Sequence, residues 1–345
     1  MRYDDINSIA GKKMPHLGKT QIETPSVIMG AWALGGWYWG GADDAEGIKT
    51  IHASLDAGIN AFDTAPMYGC GHSEKVLGQA LKGRRHEAVI LTKVGLRWDC
   101  TEGAFFFSVS EADGGHAIYR NLRPDSIITE VERSLRRLQT DYIDVLQCHW
   151  PDPSYPIADT MSAFIHLHRS GQIRAVGVSN FDPQLLQDAQ AALGDVPLAS
   201  TQPRYSLMNR GIEADVIPWL LANSVGAIVY SPIERGLLSG KVTTDRIFPE
   251  SDGRSSDPMF TPENRQAVLE ALSDIADIAE RHQCSFAQLT AAWCIHQPGI
   301  TAAIMGARTP QQAIENAYTT QIQLSLDEQT RLRNRFTSLQ AAKIP

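Results

Sequence analysis

Eight short apolar runs alternate with amphipathic helical stretches almost from one end of the chain to the other, and this alternation limits the possible folds more than any single motif. The runs are SVIMGAWAL (26–34), NAFDTA (60–65), AVILTKVG (88–95), YIDVLQCHW (142–150), IRAVGVSN (173–180), LASTQPRY (198–205), GAIVYSP (226–232) and TAAIMGA (301–307). Several are nearly continuous in Val, Ile, Leu and Ala, which is the pattern of parallel strands buried on both faces. Between them, Ile48, Ile51, Leu55 and Ile59, and later Ile127, Val131, Leu135 and Leu138, recur at three- and four-residue steps and form helical stripes. Pro124 and Asp125 suit a first helical turn, and Gly58 and Gly171 fall where a helix end needs a left-handed residue. Eight βα units in one chain predict a (β/α)8 TIM barrel formed as a single domain, 1–345. The decorations expected are an N-terminal hairpin in the irregular residues 1–24, long loops after strands 3 and 7 (96–123 and 242–263), and a C-terminal helix near 326–339. Active sites of such barrels form at the strand C-termini, so the first halves of both loops are expected to wall the site and their second halves to be surface excursions.

Composition excludes several classes of function. With a net charge of −8, the surface repels polyanions, and no nucleic-acid partner is expected; a small anionic ligand held by a local cation is not excluded. No run of eighteen apolar residues appears, and residues 1–20 lack the charged start and apolar stretch of a secretion signal, so no membrane partner and a cytoplasmic location are expected. The five cysteines (Cys70, Cys100, Cys148, Cys284, Cys294) are scattered without a CxxC pair, which argues for free thiols and against a zinc site. His166 and His168 are spaced to face apart on a helix. No metal site is expected.

The chemistry sits where strands end. Lys93 shares side-chain parity with Val89 and Leu91 and so points into the barrel, where an ammonium needs a counter-charge. Asp63, ending the preceding strand, is placed to supply it; by itself such a pair could serve only to hold strand register. Tyr68, five residues on, carries a phenol that titrates near ~10 and needs a neighbouring cation to favour its ionised form. His149 ends strand 4 and can donate a hydrogen bond to a carbonyl oxygen. Together the four can polarise and protonate a carbonyl, which points to a carbonyl reductase or alcohol dehydrogenase.

NAFDTAPMYGCGHSEKVLGQAL, LTKVGLRW, RSLRRLQTDYIDVLQCHWPDP, IRAVGVSNF, YSPIERGLLSGK and IMGARTPQQAIENA resemble, in order, the signature blocks of the aldo-keto reductases over about residues 17–319. The HWPDP block makes the pattern most similar to bacterial reductases of the inositol-catabolism and general-stress kind. The resemblance implies that Tyr68 is the general acid, Lys93 lowers its pKa, Asp63 pairs with Lys93, and His149 orients the carbonyl. It implies a nicotinamide cofactor whose carboxamide is held by Ser179, Asn180 and Gln202, whose ring stacks on Tyr230, and whose phosphates follow Ser231, Pro232, Leu237, Ser239 and Lys241. The adenosine end would fall on Gly306, Arg308, Gln312, Glu315 and Asn316. Arg308 favours NADP(H), since a guanidinium grips phosphate with two parallel hydrogen bonds; Gln312, where some members have a basic residue, leaves room for NAD(H).

No GxGxxG follows the first strand, and GLLSGKV (236–242) is one residue short of a P-loop, so neither nucleotide fingerprint applies. Aromatic residues in the loops favour a small-molecule substrate, a sugar-like or aromatic carbonyl, with Trp37, Trp98 and Trp150 as its walls. Two alternatives stay open: a sugar or polyol dehydrogenase running oxidatively through the same site, and a cofactor-binding regulatory subunit. Sequence is silent on the oligomeric state.

Overall fold

The structure, a computed structural model, describes residues 15–109 and 114–339. All eight anticipated strands are present: β1 (Val27–Gly30), β2 (Ala61–Asp63), β3 (Val89–Val94), β4 (Ile143–Cys148), β5 (Ile173–Ser179), β6 (Leu198–Gln202), β7 (Gly226–Val229) and β8 (Ile300–Gly306). Each pairs in parallel with its neighbours in sequence, and β8 closes on β1 from Val27↔Ala303 to Gly30↔Gly306. The result is the expected (β/α)8 barrel. Helices Asp44–Asp56, His72–Ala80, Pro124–Leu138, Ile157–Arg169, Pro183–Leu193, Val216–Asn223, Phe286–Ile295 and Pro310–Tyr318 follow the strands in turn. Pro124 takes the first helical position of its helix, and Gly58 and Gly171 have φ of 85° and 77°, as their places at helix ends require. Ile59 lies beyond the first helix, which stops at Asp56, but it is buried like Ile51 of that stripe.

The barrel interior is filled by Ile28, Ala61, Leu91, Val145, Ala175, Ala199, Ile228, Ala302 and Ile304, with Leu17 completing the layer. Leu17 comes from the expected N-terminal hairpin, where Leu17 N–H donates to Ile22 O at 2.9 Å and His16 bridges Glu23. Its Gly18 lies so close to the start of β6 that a Cβ would approach Ala199 O to 2.6 Å. The hairpin therefore plugs the end where strands begin and leaves the other end open for chemistry. Of the irregular segment 1–24, the residues before Pro15 lie outside the described residues.

Two departures from expectation concern the long loops. Residues 96–123 contain a three-stranded antiparallel sheet of Leu96–Arg97, Ala117–Arg120 and Ala104–Ser108, with Ala117–Arg120 in the middle. The second half of 242–263 is not a surface excursion, because Met259 and Phe260 are buried in a second core with Phe248, Leu272, Trp293 and Phe336. Phe336 belongs to the expected tail helix, Leu326–Thr337, which closes that core from outside. Among the described residues no helix is long and apolar enough to cross a membrane.

Candidate active site

Strand pairing brings the C-terminal ends of β2, β3 and β4 side by side, so their inward side chains converge. Lys93 Nζ donates to Asp63 Oδ1 at 2.6 Å, to Thr64 O at 2.9 Å and to Tyr68 Oη at 3.2 Å. All three ammonium protons are thus engaged, and the lysine has no exposed surface. Asp63 is satisfied on its other side: Gln202 Nε2 donates to Oδ2 at 2.7 Å and Gln147 Nε2 at 3.4 Å, while Gln202 Nε2 also lies 3.2 Å from Gln147 Oε1. Tyr68 stands edge-to-face with His149, ring centroids 5.9 Å apart.

These positions have opposite electrostatic consequences. Burial pushes the Tyr68 phenol above its ordinary value and outweighs the Lys93 charge and hydrogen bond, which pull it down. The phenol is therefore protonated at neutral pH, the form that an acid needs. Burial opposes the Lys93 ammonium, but Asp63 and Tyr68 more than offset it, and its pKa is raised. Burial, helped by the Lys93 charge, holds His149 well below the usual imidazole range, so it is neutral and can donate one N–H.

The loop carrying Tyr68 is held by close backbone contacts and hydrogen bonds. Gly69, Cys70 and Gly71 have φ of 63°, 51° and 85°, and a Cβ on Gly69 would lie 2.1 Å from Gly35 O. The GCG triplet is thus a tight turn against the β1 exit, not a phosphate cradle. At its ends, the Thr64 and Ser73 hydroxyls share a hydrogen bond of 2.9 Å, and Ser73 donates onward to Ala31 O at 2.8 Å. Buried Glu74 accepts from Thr92 Oγ1 at 2.6 Å and from Arg137 Nε at 2.7 Å, tying the following helix to β3 next to Lys93.

Leu96 and Ile118 of the inserted sheet form an apolar cluster with Ala65 and Met67, onto which Trp37, Tyr68, Trp98, Phe106 and Trp150 pack. The three anticipated tryptophans thus share one wall with the phenol. Trp32 was missed by sequence reading although it stacks on Tyr68 at 6.0 Å and on Tyr38 at 5.1 Å. The apolar run 26–34 places it inside the first strand, but the strand stops at Gly30. Gln147 was missed too, and its signal was available: it alternates with Val145, which points inward.

The anticipated cofactor residues line the rim from β5 to β8. Asn180, in a left-handed conformation with φ 61°, donates to His149 O at 3.2 Å and accepts from Tyr230 Oη at 3.0 Å, while Ser179 Oγ donates to Gln202 O at 2.7 Å. The amide nitrogen of Gln202 is committed to Asp63, so only its carbonyl is free for a ligand. Tyr230 is half-buried, and Ser231 turns the chain with φ 57°. Pro232 and Leu237 are buried. Ser239 Oγ donates to Gly236 O at 2.5 Å and accepts from the Lys241 N–H at 3.2 Å. The Lys241 ammonium is exposed and has no ion pair among the described residues, as suits a phosphate neighbour.

Beyond β8, Gly306 is exposed and Asn316 Nδ2 donates to its carbonyl at 3.1 Å. Gln312 Oε1 accepts from the Arg308 N–H at 2.8 Å, and Glu315 accepts from Gln311. The Arg308 guanidinium donates to Trp39 O at 3.0 Å and Gly41 O at 2.9 Å, so it holds the loop after β1. A flat phenol, amides, hydroxyls and two cations in a row form a donor set that fits a dinucleotide.

Comparison with known proteins matches this geometry. The aldo/keto reductase family model covers residues 26–334. The chain is similar to the aldo-keto reductase YhdN of Bacillus subtilis, 38% identical over 86% of this chain and 85% of the relative, and to the NADH-specific methylglyoxal reductase of Escherichia coli, 36% identical over 95% and 99%. Among solved structures it resembles the glycerol dehydrogenase AKR11B4 from Gluconobacter oxydans, with a TM-score of 0.82 and 35% identity, covering 96% of this chain and 97% of that one. An aldo-keto reductase from Klebsiella pneumoniae in complex with NADPH matches with a TM-score of 0.70 and 28% identity, covering 94% and 96%. With the family model spanning the barrel and relatives above a third identical over most of their length, this chain is an oxidoreductase belonging to the aldo/keto reductase family.

Proposed function

We propose that the protein, as one domain over residues 1–345, reduces an aldehyde or ketone with a sugar-like or aromatic body to the alcohol, using NADPH, with NADH as the alternative donor. The observation that carries this reading is the buried Asp63–Lys93–Tyr68 relay opening beside His149 at the barrel mouth. The nicotinamide cofactor, when bound, supplies the hydride. Neutral His149 donates an N–H to the carbonyl oxygen and sets its position. Tyr68 passes its phenolic proton to that oxygen, and Lys93 stabilises the phenolate left behind. Asp63, anchored by Gln202 and Gln147, keeps Lys93 charged and aimed. Ser179, Asn180, Gln202 and Tyr230 would hold the nicotinamide end; Ser231, Pro232, Leu237, Ser239 and Lys241 the phosphates; Gly306, Arg308, Gln312, Glu315 and Asn316 the adenosine end. Trp37, Trp98 and Trp150 would enclose the substrate.

The NADPH-bound relative and the free Lys241 support the phosphorylated cofactor, and the NADH-specific relative supports the alternative. Likeness to a glycerol dehydrogenase favours a second reading in which the same site oxidises a polyol and Tyr68 takes up the proton. The test is loss of NADPH absorbance on adding 4-nitrobenzaldehyde to the purified protein. Tyr68→Phe should lower turnover by roughly 10²- to 10⁴-fold while leaving cofactor affinity, read by tryptophan fluorescence, near wild type. A rate close to wild type in that variant refutes the acid role.

A further inference from the structure

Around Tyr68 and the inserted sheet, the charges of the described residues are matched except for one. Lys93 is matched by Asp63, and His149 is neutral. In the inserted sheet and its flanks, Arg97 pairs with Asp99, and Arg123 with Glu102 and Asp125. Arg120 has no carboxylate partner among the described residues; its one hydrogen bond there runs from Nη1 to Pro151 O at 3.3 Å. Its Nε is buried without an acceptor. Strand alternation places Arg120 on the same face as Ile118, which is buried in the cluster that packs on Tyr68 and the three tryptophans. The guanidinium lies 5.1 Å from the centre of the Phe106 ring, Phe106 packs on Trp150 at 5.3 Å, and Trp150 is bonded to His149. An unmatched cation thus stands two aromatic contacts from the reacting end of the site.

We propose that Arg120 receives a carboxylate carried by the substrate, so that the preferred carbonyl compounds are formyl or oxo acids with an apolar or aromatic body between the two groups. The reasoning deepens the carbonyl-reductase reading and rests on it. The edge formed by Nε and Nη2 has no acceptor among the described residues, and its two parallel N–H bonds match the two oxygens of a carboxylate. Nε is left without an acceptor among the described residues, and pairing with a carboxylate would satisfy that orphaned donor. The chain's net charge of −8 repels anions in general, which makes a local cation decisive for admitting one.

The test compares 4-formylbenzoate with its methyl ester in the full-length protein with NADPH, for wild type, Arg120→Gln and Arg120→Lys. Wild type is expected to prefer the carboxylate in kcat/KM, mainly through KM. Arg120→Gln is expected to lower the ratio of carboxylate to ester by roughly ten- to hundredfold, the worth of a charge-assisted hydrogen-bonded pair. Arg120→Lys should fall between, since it keeps the charge and loses the fork. No preference in wild type, or an equal loss on both substrates in Arg120→Gln, overturns the assignment. If neither aldehyde is reduced, the carbonyl-reductase reading has failed instead. Calorimetric binding of benzoate to the cofactor-free protein then judges Arg120 independently: binding that is weakened at least tenfold by Arg120→Gln supports it, and equal binding sinks it.

Discussion

Asp63→Asn is the substitution whose cost follows most directly from the geometry. It keeps the size of the side chain and an acceptor oxygen but removes the charge facing Lys93, which has 0% of its surface exposed, with Asp63 at 2%. At 2.6 Å and an effective dielectric near 20, the pair interaction is about 6 kcal/mol. Asparagine retains part of that as a neutral hydrogen bond, and Lys93 keeps Thr64 O and Tyr68 Oη. Gln202 and Gln147 present N–H groups to Oδ2, so the new amide must turn its nitrogen from them or force them to reorient. The expected loss is about 3–5 kcal/mol, the range for stripping one partner from a buried pair. Lys93→Met should cost a similar amount by leaving a carboxylate whose donors are neutral amides. The double variant Asp63→Asn/Lys93→Met removes both charges of the pair and should be at least about 2 kcal/mol more stable than the sum of the single losses predicts. Urea unfolding of the four proteins measures this cycle. If Asp63→Asn costs under about 1 kcal/mol, or the single losses add, the pair is not the electrostatic hinge of the site.

Three further expectations follow from the same contacts. Tyr68 lies above its ordinary value despite Lys93, so the rate of aldehyde reduction should stay level across the neutral range and fall only in strong alkali; in Lys93→Met that alkaline limb should move higher while the plateau drops, and a downward move contradicts the assignment. Burial pushes the Glu130 carboxyl up to about 8, against the Arg97 charge and the Gly95 N–H, so it stabilises the fold fully below its unfolded value of 4.5 and loses that contribution as pH rises toward 8. Glu130→Gln should match wild type near pH 4.5 and exceed it by roughly 3–5 kcal/mol at pH 8 in urea titrations; a constant difference across that range rules out the titration. Gly35→Ala would bring a Cβ to 2.7 Å from the carbonyl carbon of Tyr68, so it should lower kcat by displacing the phenol while changing cofactor affinity little, and unchanged kcat argues against a rigid contact.

The barrel was legible because parallel strands buried on both faces leave near-continuous apolar runs, and all eight appear within a few residues of their expected bounds. The inserted sheet was not legible. Ala104–Ser108 carries three consecutive phenylalanines, of which Phe105 and Phe107 are exposed and Phe106 packs inward on Trp150. A register shift between Phe105 and Phe107 disturbs the pairing, so nothing in AFFFS separates a strand from a cluster of loop aromatics. Its partner is Ala117–Arg120, and pairing across a gap of that size is set by backbone contacts that have no local signature.

The four proposed reacting residues were legible for a different reason: each is a polar or ionisable side chain closing an apolar run or following one closely. Their support was hidden by distance along the chain. Gln147 and Gln202 reach Asp63 across 84 and 139 residues, and an interior glutamine in a strand reads as ordinary until the closed barrel puts it there. The same gap explains the one electrostatic expectation that needed revision. Sequence places Lys93 near Tyr68 and argues for a lowered phenol; the structure adds Trp32 stacked on the ring and the inserted sheet packed beside it, and the desolvation they impose outweighs the lysine. In the proposed mechanism the lysine's part is then differential. It leaves the resting phenol protonated and acts at the moment charge develops on the oxygen, when an ammonium at 3.2 Å in a dry site stabilises the phenolate more than it could in water. In the proposed reduction, a relay built this way would keep its proton until a substrate oxygen is in place to take it.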